Sequence, residues 1–126
     1  MMDSKDRVKQ EFKNRIYRYI LRLVKFLAKL PKNSVTQEIV TQLIRSGTSI
    51  RANYIEAQAA SSKKDYQHFF SYSLKSANET KFWLAIMLDG KLVPAGFASE
   101  CRWLLKETRE LANIFASSLL TMQGRR

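Results

Sequence analysis

The sequence predicts an all-α protein, built as an antiparallel up-and-down four-helix bundle. Prolines, glycines and capping residues divide the 126 residues into four segments of similar length, in which apolar residues recur every three or four positions. No segment shows the alternation of a β-strand or an internal repeat. Short links between helices of similar length favour antiparallel neighbours. We therefore expect a single domain over residues 1–126, with helices at about 5–30, 35–60, 63–89 and 96–122.

The first helix ends at Pro31, because the residue before a proline avoids helical backbone. Unlike an ordinary bundle helix, it carries two apolar stripes. The stripe expected to face the core contains Phe12, Ile16, Tyr19, Leu23, Phe26 and Leu30. The second stripe, on a different side, contains Tyr17, Leu21, Val24 and Ala28. These four are either scattered surface side chains or a subunit interface with a neighbouring copy, and the sequence favours the interface.

The remaining sector of helix one is basic. Lysine and arginine recur there at alternating spacings of three and four residues, which makes one cationic stripe along the helix: Arg15, Arg18, Arg22, Lys25 and Lys29. Like charges stacked in this way repel one another and destabilise the helix, so the stability of the helix does not explain the stripe. An anionic partner would explain it. The chain has 22 basic and 11 acidic residues, and its net charge of +11 favours nucleic acid as that partner.

Further candidates for phosphate contact are spread over the other helices. They are Arg45, Arg51, Lys63, Lys64 and Lys81, together with the Arg125-Arg126 tail. For any one of them, a solvated surface charge is the simpler interpretation. Phosphate contacts give affinity that weakens steeply with salt and reads little sequence.

Two other partners remain open. An anionic membrane could hold helix one on its surface, but the bundle needs the same helix in its core, so we expect no membrane association. An acidic protein could also bind the basic stripe, which would make the chain an oligomeric scaffold. A salt titration in competition with RNA separates this last alternative from phosphate binding.

The second helix opens with Ser34, which is predicted to form a capping box with Gln37. Polar residues follow at helical spacing beside its apolar face, and helix three has polar residues on its own core side. They predict a structural polar network that fixes helix register: Gln42, Ser46, Ser49, Asn53 and Glu56 with Ser73, Ser76, Glu79 and Thr80. Equally, the small residues could merely permit close packing while the longer ones point to solvent.

Helices three and four have clear limits. Ser62 and Asp65 have the capping-box form at the start of helix three, and Asp89-Gly90 supplies its stop. Residues 92–96, which contain a proline and a glycine, form the loop before helix four. Helix four has the most regular apolar seam and is therefore predicted to bury one face: Phe97, Cys101, Leu104, Thr108, Leu111, Phe115, Ser118 and Met122.

The sequence offers little for catalysis. His68 has no nucleophile beside it, and Cys101 lies on the buried seam, where a thiol is inert. One Asp-x-x-His motif at Asp65 does not make a di-iron site, which needs two Glu-x-x-His motifs and further carboxylates. We expect no enzymatic activity, no metal and no cofactor. A single cysteine and the lack of a long apolar run suit a cytoplasmic protein.

Several segments in the middle of the chain resemble one protein family. They are Leu30-Pro31, QLIRSGTSIRANYIEA (42–57), SKKDY (62–66) and SANETKFWL (76–84), in this order. Together they are similar to the four-helix-bundle family of 23S ribosomal RNA intervening-sequence proteins, which includes the accessory variability determinant of diversity-generating retroelements. The resemblance covers about residues 30–90. Helix one departs from it, because it lacks the Leu-x-Val-Trp-like motif of many members and is more basic.

The resemblance implies a non-enzymatic and often pentameric bundle. In the retroelement branch it implies a basic ring that binds RNA or DNA and the reverse transcriptase of the element, and assists in copying template RNA into DNA. The net charge suits this branch better than the ribosomal RNA insert, although composition alone does not give the number five. We therefore expect a homopentameric nucleic-acid-binding accessory protein, with a role tied to the 23S ribosomal RNA insert as the alternative.

Overall fold

Four long α-helices make up the computed structural model, which describes residues 2–124. They are α1 (Ser4–Ala28), α2 (Ser34–Gln58), α3 (Lys63–Asp89) and α4 (Ala98–Met122). A short 3-10 turn at Ala95–Phe97 precedes α4, and no strand occurs within residues 2–124. The predicted all-α class and the four helices are confirmed, with every boundary within two residues of its prediction.

Side-chain caps set the starts of α2 and α3. Ser62 accepts a hydrogen bond from the Asp65 N–H at 3.1 Å, as predicted. The predicted cap of α2 is wrong by one residue, because Asn33 accepts from the Thr36 N–H at 3.0 Å and Ser34 is already helical. An asparagine amide oxygen caps a helix as well as a serine hydroxyl does, so either residue could have opened the helix.

The link between α3 and α4 follows the predicted stop. α3 ends at Asp89 with Gly90 as its C-cap, and the Gly90 N–H donates to the Ile86 carbonyl at 2.8 Å. The residue with left-handed backbone is Lys91, with φ of 54°, rather than the glycine. The first turn expected for α4 is the tighter 3-10 turn, so the α-helix itself begins at Ala98.

Contacts between sequential helices run in opposite order, which makes the helices antiparallel. Ser46 of α2 meets Thr80 of α3, whereas Ile50, one turn later in α2, meets Ser73, nearly two turns earlier in α3. α1 packs against both α2 and α4, which places α3 diagonally opposite to it. The bundle is therefore of the up-and-down kind.

The core lies where the four helices meet. The predicted seam of α4 is confirmed, since Cys101, Leu104, Thr108, Leu111 and Phe115 are fully buried and Phe97, Ser118 and Met122 partly so. One aromatic ring from each helix fills one end of the bundle, with neighbouring centroids 5.2 to 6.1 Å apart: Phe12, Tyr54, Phe70 and Phe115. Such edge-to-face packing adds about 0.5–1.5 kcal/mol per pair beyond area burial.

α1 and α2 approach each other closely at Gly47. A Cβ atom at this position would overlap the side chain of Leu23, which is fully buried. Glycine within a helix costs about 1 kcal/mol relative to alanine. Leu23 packs into the space that a side chain at position 47 would fill, which explains the glycine in the middle of α2.

Candidate nucleic-acid interface

The cationic stripe of α1 lies against the carboxylates of α4. Arg15 donates to Glu107 through Nε at 2.9 Å and through Nη2 at 2.7 Å, and Glu110 Oε2 is 3.6 Å from Arg15 Nη2. The Glu107 side chain is only 11% exposed. Hydrogen bonding to Glu107 raises the pKa of the Arg15 guanidinium above its usual value. This pair is consequently a two-point clamp between α1 and α4.

Two turns further along α1, Arg22 makes a second clamp. Its Nε and Nη2 donate to the two oxygens of Glu100 at 2.7 and 2.8 Å. The guanidinium carbon lies 3.5 Å from the centre of the Trp103 ring. Hydrogen bonds from Arg22 lower the pKa of Glu100. The carboxylate and the indole together fix the position of Arg22.

Carboxylates of the chain itself therefore supply part of the anionic partner that was predicted for the stripe. Arg15 and Arg22 are paired, whereas Arg18, Lys25 and Lys29 are exposed and make no ion pair within residues 2–124. α1 contains eight basic and two acidic residues, a net +6, while α4 contains three of each. The three side chains without an ion pair form an exposed row of positive charge beside the two clamps, in which the Lys29 charge also helps to lower the pKa of Glu100.

A buried hydrogen bond joins α1 and α4 below the ion pairs. Tyr19 Oη lies 2.5 Å from Thr108 Oγ1, and Thr108 Oγ1 in turn donates to the Leu104 carbonyl at 2.6 Å. Because the threonine proton is used there, the tyrosine hydroxyl is the donor to Thr108. Burial raises the pKa of Tyr19, so the phenol keeps its proton and the bond. This contact fixes the base of the space between the helices.

Between α1 and α4 lies an open groove of ≈ 450 Å³. Its lining consists of Arg15, Arg18, Tyr19, Arg22, Trp103 and Glu107. Trp103 is 36% exposed and was not among the residues predicted from the sequence. Trp103 lies seven residues after a proline-containing loop, and nothing in the sequence around it indicated a contact with α1. The groove combines an aromatic ring with paired and unpaired arginines.

The other predicted phosphate contacts are not gathered at this groove. Lys63, Lys64 and Lys81 belong to α3, which is diagonal to α1, and Arg45 is exposed on α2. Arg51 of α2 contacts a different side of α1, where its guanidinium carbon lies 4.9 Å from the centre of the Tyr17 ring. Its Nε is buried without a hydrogen-bond partner. The Arg125-Arg126 tail lies outside the described residues.

The second apolar stripe of α1 is exposed in the single chain. Tyr17 is 48% exposed, Leu21 and Val24 are each 42% exposed, and Ala28 is also open to solvent. Ile44 of α2, 44% exposed, adds to the same surface and lines a groove with Val24 and Ala28. This surface is what an interface would present in an isolated copy, and the interface itself stays a prediction.

Part of the predicted polar network joins α2 to α3. Thr80 Oγ1 lies 2.8 Å from both Ser46 Oγ and the Ser76 carbonyl oxygen, and Ser73 Oγ donates to the Ile50 carbonyl at 2.9 Å. Ser46, Ser73 and Thr80 are buried. Hydrogen-bonded hydroxyls inside the core hold the two helices in one register.

The remaining members of the predicted network do not join it. Gln42, Ser49 and Asn53 hydrogen-bond within α2, to Glu38, to the Arg45 carbonyl and to the Ser49 carbonyl respectively. Glu56 and Glu79 are exposed. Both interpretations of the sequence therefore hold in part: Ser46, Ser73 and Thr80 connect the two helices, whereas these other side chains bond within α2 or lie in solvent.

The residues considered for catalysis lie apart from one another. Cys101 is buried on the core seam, where burial raises the pKa of its thiol to about 11. His68 is exposed on α3, with Tyr72 beside it. Within residues 2–124, no three histidine, cysteine or acidic side chains are grouped to hold a metal. None of the helices in that range is both long and apolar enough to cross a membrane.

Comparison with known proteins identifies the family. The model of the family described as 23S rRNA-intervening sequence protein matches residues 9–117. The chain belongs to this family. A solved structure of a protein with unknown function, from the S23 ribosomal protein family of Bacteroides thetaiotaomicron, is similar to it. The two share 29% sequence identity and a TM-score of 0.73, over 85% of this chain and 96% of that chain. No curated protein matches the chain.

The match to the 23S rRNA-intervening sequence protein family is longer than the segments that resemble it by motif. It begins at residue 9 and so includes most of α1, the helix that lacks the expected N-terminal motif. It also includes α4 up to residue 117, and with it both ion-pair clamps. The groove between α1 and α4 is therefore built from the part of this family member that the family model covers.

Proposed function

We propose that this member of the 23S rRNA-intervening sequence protein family is a non-enzymatic, cytoplasmic nucleic-acid-binding protein that uses the exposed basic side of α1. The carrying observation is the row of Arg18, Lys25 and the C-cap residue Lys29, which make no ion pair within residues 2–124, along a helix that itself has a net charge of +6. At 1.5 Å per residue the row spans about 16 Å, over which one DNA strand presents about five charges. Phosphates along a strand can therefore reach all three cations.

The ion pairs between α1 and α4 support phosphate, rather than a carboxylate of another protein, as the external partner. Glu107 and Glu100 already engage Arg15 and Arg22 in the two-point geometry that carboxylates prefer. Two of the three cations left over are lysines, which are compact charges without a fixed fork and bind phosphate from many directions. An acidic scaffold partner is the alternative that the salt dependence tests.

We further propose that the exposed stripe of Tyr17, Leu21, Val24 and Ala28 is the subunit interface and that the assembly is a homopentamer. Repetition of the basic row around a ring would multiply its contacts with one nucleic acid. The resemblance to the retroelement branch supports a reverse transcriptase as protein partner, in the copying of template RNA into DNA. Membership in the intervening-sequence family supports an RNA-associated role as the alternative, and both roles use the same phosphate contacts.

The decisive experiment compares two triple charge reversals of equal size. Arg18→Glu, Lys25→Glu and Lys29→Glu change the proposed surface, while Lys75→Glu, Lys91→Glu and Arg109→Glu change exposed cations that are not candidate contacts. Fluorescence anisotropy with labelled single-stranded RNA and DNA measures both. Three lost phosphate contacts remove about two units of slope from log K against log salt. We expect at least about a tenfold loss for the α1 variant at moderate salt and about threefold or less for the control.

Equal losses in the two variants would show that total charge, rather than the α1 surface, determines binding. A complex that persists as salt rises would instead indicate an apolar protein contact. Mass measurement in solution tests the assembly separately. A monomer at micromolar concentration would rule out the ring.

A further inference from the structure

We propose, building on the nucleic-acid binding proposed above, that the groove between α1 and α4 receives one unpaired nucleobase against Trp103, with the adjoining phosphate on Arg18. This names single-stranded nucleic acid as the substrate class. The groove has a volume of ≈ 450 Å³, within the range of about 300–1,000 Å³ found for small-molecule sites. It is open to solvent, and its lining includes the exposed Arg18, which a phosphate could reach.

Trp103 is the exposed aromatic ring in the lining of the groove, and a base would stack on the face that Arg22 leaves uncovered. Arg22 covers one face of the indole at 3.5 Å from the ring centre, and Glu100 fixes Arg22 through two short hydrogen bonds. The residue nevertheless remains 36% exposed and lines the groove. A ring that is fixed before binding loses little freedom when a base stacks on it, which is why fixed aromatic side chains bind bases well.

The arginines of the groove differ in whether a carboxylate of the chain already engages them. Arg15 and Arg22 are engaged by carboxylates, so they are poor phosphate ligands. Arg18 lines the same groove and has no ion pair within the described range. The Arg15–Glu107 pair at the groove wall is neutral as a unit, so it attracts phosphate less than the unpaired Arg18 does. A neutral base is therefore favoured inside and a phosphate at the rim beside Arg18.

The arrangement favours a single strand over a duplex. In a duplex each base is stacked and paired, and extruding one should lower the affinity by about a hundredfold. In a single strand the base is already free to turn toward the indole. Because every base has a flat aromatic face, the site would bind with little sequence preference.

The chain offers a direct optical test because it has two tryptophans. In the Trp83→Phe variant, Trp103 is the only indole, and its fluorescence should be quenched by a short oligothymidylate or oligouridylate. An abasic deoxyribose-phosphate oligomer of the same length has the phosphates without the bases and should not quench it. In the matched Trp103→Phe variant, the partly buried Trp83 of α3 should show no quenching by either oligomer.

Affinity provides the second readout. Trp103→Ala should weaken binding of the base-bearing oligomer by about 5- to 150-fold, the range found for one stacked base, and binding of the abasic oligomer by about twofold or less. Trp103→Phe should recover most of the affinity because it keeps an aromatic face. Circular dichroism measures whether the variants are folded. Because Trp103 is exposed, we expect that they are.

The outcomes separate this site from the function on which it depends. If the wild type binds the abasic oligomer as tightly as the base-bearing one, the stacking site is refuted and phosphate binding stands. If Trp103→Ala weakens both oligomers alike, Trp103 acts only by positioning α1, and the site is again refuted. If the wild type binds neither oligomer, both proposals fall.

Discussion

The Arg15–Glu107 ion pair should stabilise the fold while it weakens binding of nucleic acid, so that one substitution moves the two properties in opposite directions. Glu107→Gln keeps the size of the side chain and removes its charge. It breaks the two-point clamp of 2.7 and 2.9 Å and leaves Arg15 without its main partner. The same change removes a negative charge from the groove.

The expected loss of stability follows from the burial of the pair. Exposed ion pairs contribute about 0.2–1 kcal/mol, and breaking a buried pair costs about 3–5 kcal/mol. The Glu107 side chain is 11% exposed and that of Arg15 35% exposed, and Glu110 remains 3.6 Å away as a weaker partner. We therefore expect Glu107→Gln to lower the free energy of unfolding by about 1–3 kcal/mol, measured by urea denaturation.

The expected gain in binding follows from the freed guanidinium. One more phosphate contact should steepen the dependence of log K on log salt by about 0.7 for a single strand and tighten binding at low salt. Anisotropy titrations between about 50 and 200 mM salt measure this slope. Glu110→Gln is the matched control: its carboxylate is 53% exposed, so stability should change by about 0.5 kcal/mol or less and the slope should stay the same. Weaker binding by Glu107→Gln, or identical behaviour of the two variants, would refute the reasoning.

Three further predictions concern the core and the second clamp. Thr80→Val leaves the Ser46 hydroxyl without its partner and should lower the free energy of unfolding by about 1–3 kcal/mol, whereas adding Ser46→Ala should recover much of this loss in a double-mutant cycle. Because Arg22 lowers the pKa of Glu100, the stability that this pair provides is present above the usual value of 4.5 and is lost as pH falls below it. The loss should be about 0.5–1 kcal/mol, and Arg22→Gln should remove that part of the acid dependence in unfolding measurements. Cys101, with its pKa raised to about 11, should react with a thiol-specific disulfide reagent at neutral pH only after denaturation, and rapid labelling of the native protein would contradict its burial.

The helices could be predicted from the sequence because their signals are local. The seam of α4 repeats within a few turns of one segment, and Ser62 caps α3 through a residue three positions away. The cap of α2 was misplaced by one position because Asn33 and Ser34 are adjacent residues of similar capping strength. Local signals thus determine that a helix exists more firmly than they determine its first residue.

The site could be predicted only in part, because it depends on contacts between distant segments. Spacing along α1 identified the five basic residues of the stripe. It could not show that Glu107, 92 residues after Arg15, neutralises one of them, or that Trp103 lies against Arg22. For the related reason that helical spacing does not tell which polar residues face another helix, the sequence left the polar network and outward-pointing side chains as equal alternatives. Each holds for some of the residues.

α1 is attached to both of its neighbours within one turn. Tyr19 hydrogen-bonds to Thr108 of α4, and Leu23, one turn later, packs into the space left by Gly47 of α2. Arg18 emerges from the helix next to this doubly attached turn rather than from a fraying end. If a strand binds there as proposed, it would contact a part of α1 that is held on two sides, so the protein should lose little conformational entropy on binding.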